Sequence, residues 1–200
     1  LVLVVEDDED LRQFIRSILE EDYEVHEASN GVEGFEKAQE LIPDFIVSDI
    51  MMPEADGMEL LENVRKNVQT SHILFLLLTA KTTLESKLEG FEQGADEYIS
   101  KPFSVSFFKA RVKSLLQRRN ELQNFYRNRV YHSPGMLSEE ASNNEAVAND
   151  KDLVFIQSIN RFIEAHLGNN DYVIEDLPVE MGMSRSVFFK KVKGLTGLAP

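Results

Sequence analysis

Five polar residues stand where an apolar run stops. Glu6 and Asp7 follow the run at 1–5, Asp49 follows Phe45-Ile46-Val47, Thr79 follows the run at 73–78, and Lys101 follows the short segment 96–100. An ionised carboxylate at the end of a buried run is costly unless a cation or hydrogen-bond donors meet it. Several carboxylates together, in a chain without cysteine, call for a hard cation with oxygen ligands. Mg²⁺ suits such a set, because it takes few carboxylates, keeps waters and accepts a phosphate oxygen. An aspartate there can act as a nucleophile towards phosphorus and become an aspartyl phosphate. A hydroxyl and an ammonium opposite the cation would hold the phosphoryl oxygens. Taken singly, Thr79 reads as a helix N-cap and Lys101 as a surface lysine; five complementary groups at run ends are hard to obtain by accident.

The elements that must carry these residues follow from periodicity. The runs at 1–5 and 73–78 read as buried strands, residues 23–27 alternate as a short strand, 45–49 form another, and 96–100 a last one. Between them, helical spacing joins Leu11, Phe14, Ile15, Ile18 and Leu19, then Val32, Phe35 and Ala38 after Asn30-Gly31. It returns in Met58, Leu60, Leu61 and Val64, and again in Leu84, Leu88 and Phe91 before Gly94. Asp8, Glu9 and Asp10 suit a helix N-terminus. Strand and helix alternate five times, which predicts an α/β fold with a doubly wound, five-stranded parallel sheet. Ligands of such sheets sit outside the carboxyl ends of the strands, where the five polar residues converge.

The segments Val-Val-Glu-Asp-Asp, Ser-Asp-Ile-Met-Met-Pro, Leu-Leu-Thr-Ala-Lys, Gly-Ala-Asp-Glu-Tyr and Ser-Lys-Pro-Phe, in this order, resemble the receiver domain of bacterial two-component response regulators over about residues 1–120. The resemblance implies a flavodoxin-like receiver in which Asp49 is the phosphoacceptor for a histidine kinase. Asp7 would bind Mg²⁺ directly, Glu6 through water, and the backbone carbonyl of Met51 would add a ligand. Thr79 and Lys101 would hold the phosphoryl group, Tyr98 would be the aromatic that turns inward as Thr79 shifts, and Lys101-Pro102 would be a cis peptide. An alternative is a Mg²⁺-dependent phosphohydrolase with an Asp nucleophile. Enzymes resembling the haloacid dehalogenase group place a second acid two residues after the nucleophile, and Met51 stands there. A flavodoxin-like cofactor binder would want a Gly- or Ser/Thr-rich phosphate loop after the first strand; five acids stand there instead.

Beyond Ser104, apolar residues continue at helical spacing from Val105 to Tyr126. This predicts one long helix whose outer half, past Arg118-Arg119, needs a partner: a second copy of the chain or the next domain. Ser133-Pro134-Gly135 should end it, and residues 133–150 read as a linker. Leu153, Ile156, Ile159 and Ile163 mark an amphipathic helix closed by Gly168-Asn169-Asn170. A helix at 173–181, a Gly182-Met183 turn and a helix N-capped by Ser184 form a helix-turn-helix pattern, with Pro178 expected to distort its first helix. The stretch Gly-Met-Ser-Arg-Ser-Val-Phe-Phe-Lys-Lys-Val-Lys-Gly-Leu-Thr-Gly-Leu-Ala-Pro resembles the first half of an AraC-type DNA-binding domain, which implies that Arg185, Ser186, Lys190 and Lys191 meet DNA. The expected organisation is a receiver at 1–120, a helical extension and linker at 121–150, and a partial, all-α helix-turn-helix domain at 151–200.

Charge supports that division of labour. Residues 1–103 hold 24 acids against 8 bases, while 151–200 balance at 6 and 6, so phosphates are repelled by the first part and promoter DNA must be met by the second. No apolar stretch approaches the length of a membrane span, so no membrane contact is expected of this segment, and the reading places it in the cytoplasm. The chain starts at Leu1 inside an apolar run, as an excised fragment would. A receiver followed by an AraC-type segment resembles the C-terminal end of Bacteroidetes-type hybrid two-component sensors, which implies a histidine kinase in the same or another chain and an inner-membrane tether for the full protein. On this reading the segment itself is a phosphoacceptor switch.

Overall fold

The computed structural model describes residues 1–80, 94–131, 150–166 and 176–198. Its first compact unit, Leu1–Gln117, is built on five parallel strands: β1 Val2–Val5, β2 Val25–Ala28, β3 Phe45–Asp49, β4 Leu74–Thr79 and β5 Glu97–Ser100. They are ordered β2-β1-β3-β4-β5, the doubly wound sheet that the alternation predicts. The three central strands are buried along their whole length, as strands covered on both faces must be.

Alternation along each strand divides the core. Val2, Val4, Phe45, Val47, Leu74, Leu76, Leu78 and Ile99 pack with Ile15, Ile18 and Leu19 of α1 (Glu9–Leu19) and with Phe108, Val112 and Leu115 of α4 (Val105–Tyr131). Against the opposite face lie α2 (Gly31–Leu41) and α3 (Gly57–Lys66). Burying each large side chain contributes roughly 1.5–3 kcal/mol relative to leaving it in water. Two expected core residues are on the surface: Phe14 is 44% and Val32 48% exposed. Both sit on the flank of their helical stripes, turned away from the buried residues of each helix.

Helix starts are local. Asp8 accepts from the Leu11 amide and Asn30 from the Glu33 amide, while Glu33 reaches back to the Ser29 amide at 2.8 Å, a capping box. Asp56 accepts from Met58 and Glu59. Gly57 is there for space: a Cβ would fall on the Asp49 carbonyl oxygen, so only glycine lets α3 start against the end of β3.

The second unit, Arg118–Pro200, is helical. Within it lie the last part of α4, α5 (Asp150–His166), α6 (Leu177–Glu180) and α7 (Arg185–Thr196). Phe155, Ile156, Ile159, Leu177, Met183, Phe188 and Leu195 form its core, while Ile163 is largely exposed. The single long helix expected from 104 onwards is present as α4. Gln123 Nε2 donates to the Gly194 carbonyl at 3.0 Å and Arg127 Nε to the Thr196 carbonyl at 3.1 Å, so two carbonyls of the last turn of α7 find donors. Gln123 and Arg127 of the outer half of α4 thus meet the last turn of α7.

Pro178 does not distort a helix. α6 begins at Leu177, which places the proline in its first turn, where the missing N–H would have no intrahelical partner anyway. Gly182 turns the chain with φ +64°, and Ser184 caps α7 by accepting from the Val187 amide. The expected helix on Leu84, Leu88 and Phe91, the stop at Ser133-Pro134-Gly135, most of the linker and Gly168-Asn169-Asn170 lie outside the described residues. Among the described residues no helix is long and apolar enough to cross a membrane.

Candidate functional site

The carboxyl edge of the sheet brings the five polar residues together. Glu6 directly follows β1, and its amide donates to the Ala28 carbonyl at 3.1 Å, prolonging the β1–β2 ladder by one bond. Its carboxylate turns inward and is 2% exposed. Asp7, the next residue, is exposed, and Arg12 Nη1 donates to the Glu6 carbonyl at 2.7 Å and to that of Asp7 at 3.4 Å. The turn that presents the acidic pair is thus held from α1 by a residue that has no sequence signature.

Asp49 ends β3 and is 7% exposed. One of its oxygens, Oδ1, accepts from the Ile50 amide at 2.9 Å and lies 3.0 Å from Lys101 Nζ. The same ammonium is 2.8 Å from Glu6 Oε2. The Lys101 amide donates to the Thr79 carbonyl at 2.7 Å, and Lys101-Pro102 is cis, as the resemblance implies. One ligand oxygen each from Glu6, Asp7 and Asp49 lies within 4.8 Å of the others. Burial pushes the Glu6 carboxyl above the usual carboxylate range; the hydrogen bond from Lys101 lowers it again, and the nearby charge of Asp49 adds to the rise. Three acids and one lysine leave excess negative charge at a site open to solvent through Asp7. The donor set is all oxygen and fits a small divalent cation.

Thr79 ends β4 and is buried. Tyr98, on β5, pairs with Leu77 and is 6% exposed, and Thr79 pairs with Ser100. By strand alternation Thr79 and Tyr98 share a face of the sheet. The Tyr98 hydroxyl donates to Met58 Sδ at 3.4 Å, a contact that nothing in the sequence pattern announces. Met51 lies in the loop after β3 with its side chain 64% exposed.

In the second unit Arg185, Ser186 and Lys190 are exposed on α7, and the Arg185 guanidinium lies 5.2 Å over the Phe189 ring. Lys191 corrects the sequence reading. It is 0% exposed, with Nζ 2.6 Å from Asp152 Oδ1 and 5.0 Å over the Phe155 ring. Burial lowers its pKa, and the Asp152 carboxylate opposes that shift. A lysine sealed in this way offers nothing to a phosphate. The missed signal was available: Asp152, Phe155, Ile156 and Ile159 fall on one helical stripe, as do Phe188, Lys191 and Leu195, so an acid and a base stand on two facing apolar surfaces.

Comparison with known proteins places these observations. The family model described as response regulator receiver domain matches residues 2–113. Histidine kinase P4 of Formosa agariphila is 36% identical over 199 residues, covering 100% of this chain and 14% of that protein. Transcriptional regulatory protein SrrA of Staphylococcus aureus is 43% identical over 118 residues, covering 58% of this chain and 48% of its own length. The chain thus spans less than half the length of these relatives. Among solved structures, the receiver domain of Francisella response regulator 1452 is similar with a TM-score of 0.55 and 37% identity, over 58% of this chain and 96% of that one. Chemotaxis protein CheY4 of Vibrio cholerae is similar with a TM-score of 0.55 and 35% identity, over 57% and 96%. The acidic cluster of Glu6, Asp7 and Asp49 is the kind that receivers use for Mg²⁺, and a receiver implies a cognate histidine kinase. With its sheet order, its site and this match, the chain belongs to the response regulator receiver family of two-component signalling.

Proposed function

We propose that Asp49 accepts a phosphoryl group from a histidine kinase phosphohistidine, and that this acts on a helical output segment. The observation that carries the reading is Lys101 Nζ lying within 3.0 Å of both Asp49 and Glu6, with Asp7 completing the acidic cluster. An Asp49 oxygen attacks phosphorus, the P–N bond to the imidazole breaks, and the electron pair stays on the ring nitrogen, which takes a proton. Asp7, Asp49 and the Met51 carbonyl, with Glu6 through water, would hold Mg²⁺, which would supply charge neutralisation for the phosphoryl oxygens. Lys101 supplies fixed positive charge on the opposite side, and Thr79 a hydroxyl donor. Tyr98 follows Thr79, the two sharing a sheet face.

A phosphohydrolase reading is weaker. Met51 stands where a general acid would be needed, and its side chain points to solvent. The deciding experiment is incubation with a small-molecule phosphodonor and Mg²⁺, followed by mass analysis. A persistent phosphoryl adduct on the Asp49 peptide, absent in Asp49→Ala, is the expected result; uptake at unchanged stoichiometry in Asp49→Ala would place the acceptor elsewhere.

The organisation we favour is a receiver at 1–120, an extension and linker at 121–150, and a helix-turn-helix of AraC type at 151–200, working in the cytoplasm with a kinase in the same or another chain. The alignment with Histidine kinase P4 over the whole chain supports a hybrid arrangement. Arg185 and Ser186, at the exposed start of α7, would meet base edges and Lys190 a phosphate. With 6 acids against 6 bases in 151–200, this chain should show only weak, salt-sensitive binding to promoter DNA. Titration at near-physiological salt checks this, and tight sequence-specific binding would overturn it. Size determination with and without phosphodonor tests whether two copies associate.

A further inference from the structure

Tyr98 has a partner whose place in the fold ties it to the phosphorylation site. Met58 lies in the first turn of α3, and that turn has little slack. Gly57 donates to the Ile50 carbonyl at 2.9 Å, has no room for a Cβ against the Asp49 carbonyl, and is followed by the Met58 amide bonded to Asp56 at 2.9 Å. The sulfur that accepts from the Tyr98 hydroxyl at 3.4 Å is therefore carried on backbone anchored to the residue proposed to take the phosphoryl group. The ring it holds is buried and shares its sheet face with Thr79.

We propose that Met58 is a positioning residue for the switch: its sulfur holds the Tyr98 hydroxyl in the inward setting and so raises the population in which Thr79 can close on the phosphoryl group. This inference rests on the roles proposed above for Asp49 and Tyr98. A leucine at 58 would fill nearly the same volume but offer no acceptor, whereas glutamine has similar reach and a stronger one. If packing alone mattered, leucine would be the better replacement; if the acceptor matters, glutamine is.

The test uses NMR of the full chain carrying isotope-labelled tyrosine rings. Tyr98→Phe identifies the Tyr98 signal among the five tyrosines. Beryllofluoride with Mg²⁺ serves as the acyl-phosphate mimic. In the unsubstituted chain the Tyr98 signal should shift on titration. In Met58→Leu it should start nearer the position of a solvated ring, and the beryllofluoride midpoint should rise roughly two- to tenfold, the scale of one hydrogen bond. Met58→Gln should restore both. A Met58→Leu protein with unchanged signal and midpoint, or a Met58→Gln protein no better than Met58→Leu, overturns the role of the sulfur while leaving the phosphorylation site intact. A Tyr98 signal indifferent to beryllofluoride in the unsubstituted chain overturns the reading of Tyr98 itself, and this inference with it.

Discussion

Two lysine–carboxylate contacts, one in each unit, show what the surroundings of a buried charge decide. Lys101 lies between Glu6 and Asp49 at the open edge of a parallel sheet, with its own side chain 21% exposed and the exposed Asp7 beside it. Lys191 meets the Asp152 carboxylate, and both are sealed at 0% and 3%. The first set has two more acids than its lysine can neutralise and a route for another cation and a phosphoryl group. The second pairs acid with base, closed from water and roofed by the Phe155 ring. Charge left over at an opening is available for chemistry; charge matched inside a core serves architecture.

That contrast breaks most sharply at Asp7. Asp7→Ala should lower the rate of phosphorylation by at least about 10²-fold, the scale of losing one charge-stabilising group. The melting temperature should hardly change, because Asp7 is exposed. Phosphodonor kinetics beside thermal unfolding would show it; equal kinetics would mean that the cluster does not act as a unit.

Asp152→Ala should do the reverse. Breaking a buried ion pair by removing one partner costs about 3–5 kcal/mol, so the helical unit should unfold earlier in denaturant while phosphate uptake on Asp49 is unchanged. Replacing both partners, Asp152→Leu with Lys191→Met, should recover most of the loss. If the single variant is as stable as the parent, the pair is not closed to water.

The smallest effect belongs to a third kind of charge, the partly exposed capping pair. Glu33 is held at about 2, down from 4.5, by the hydrogen bond from Lys37 and those from Ser29. A carboxyl with a depressed folded-state value adds stability that is complete above about 4.5 and is lost as pH falls towards 2. Glu33→Gln should therefore melt slightly lower than the parent at pH 7, with the gap closing as the pH is brought from 4.5 towards 2. A gap independent of pH would assign the effect to capping geometry alone. The pair is solvent-screened, so the shift should be modest.

The edge of the sheet was legible because strand ends are written in the sequence. An apolar run that stops at Glu6, Asp49 or Thr79 announces both the strand and the place where its polar end emerges, and one topology collects all such ends on one side. Side-chain partners across elements were not legible in this way. The hydroxyl–sulfur contact of Tyr98 and Met58 joins β5 to α3, and Arg12 supports Glu6 from the following helix. Lys191 shows a different failure: composition made α7 look basic outside, although the stripe it shares with Phe188 and Leu195 already pointed inward. Phe14 and Val32 erred the other way, as apolar residues on the rim of a stripe.

The buried pair has a consequence for inheritance. Asp152 and Lys191 stand 39 positions apart, yet exchanging either alone breaks an ion pair inside the core. Drift at these two positions must therefore pass through a costly intermediate or move both at once. Among related helical units the acid and the lysine should appear together or vanish together, whereas Arg185 and Lys190, exposed on α7, can change one by one.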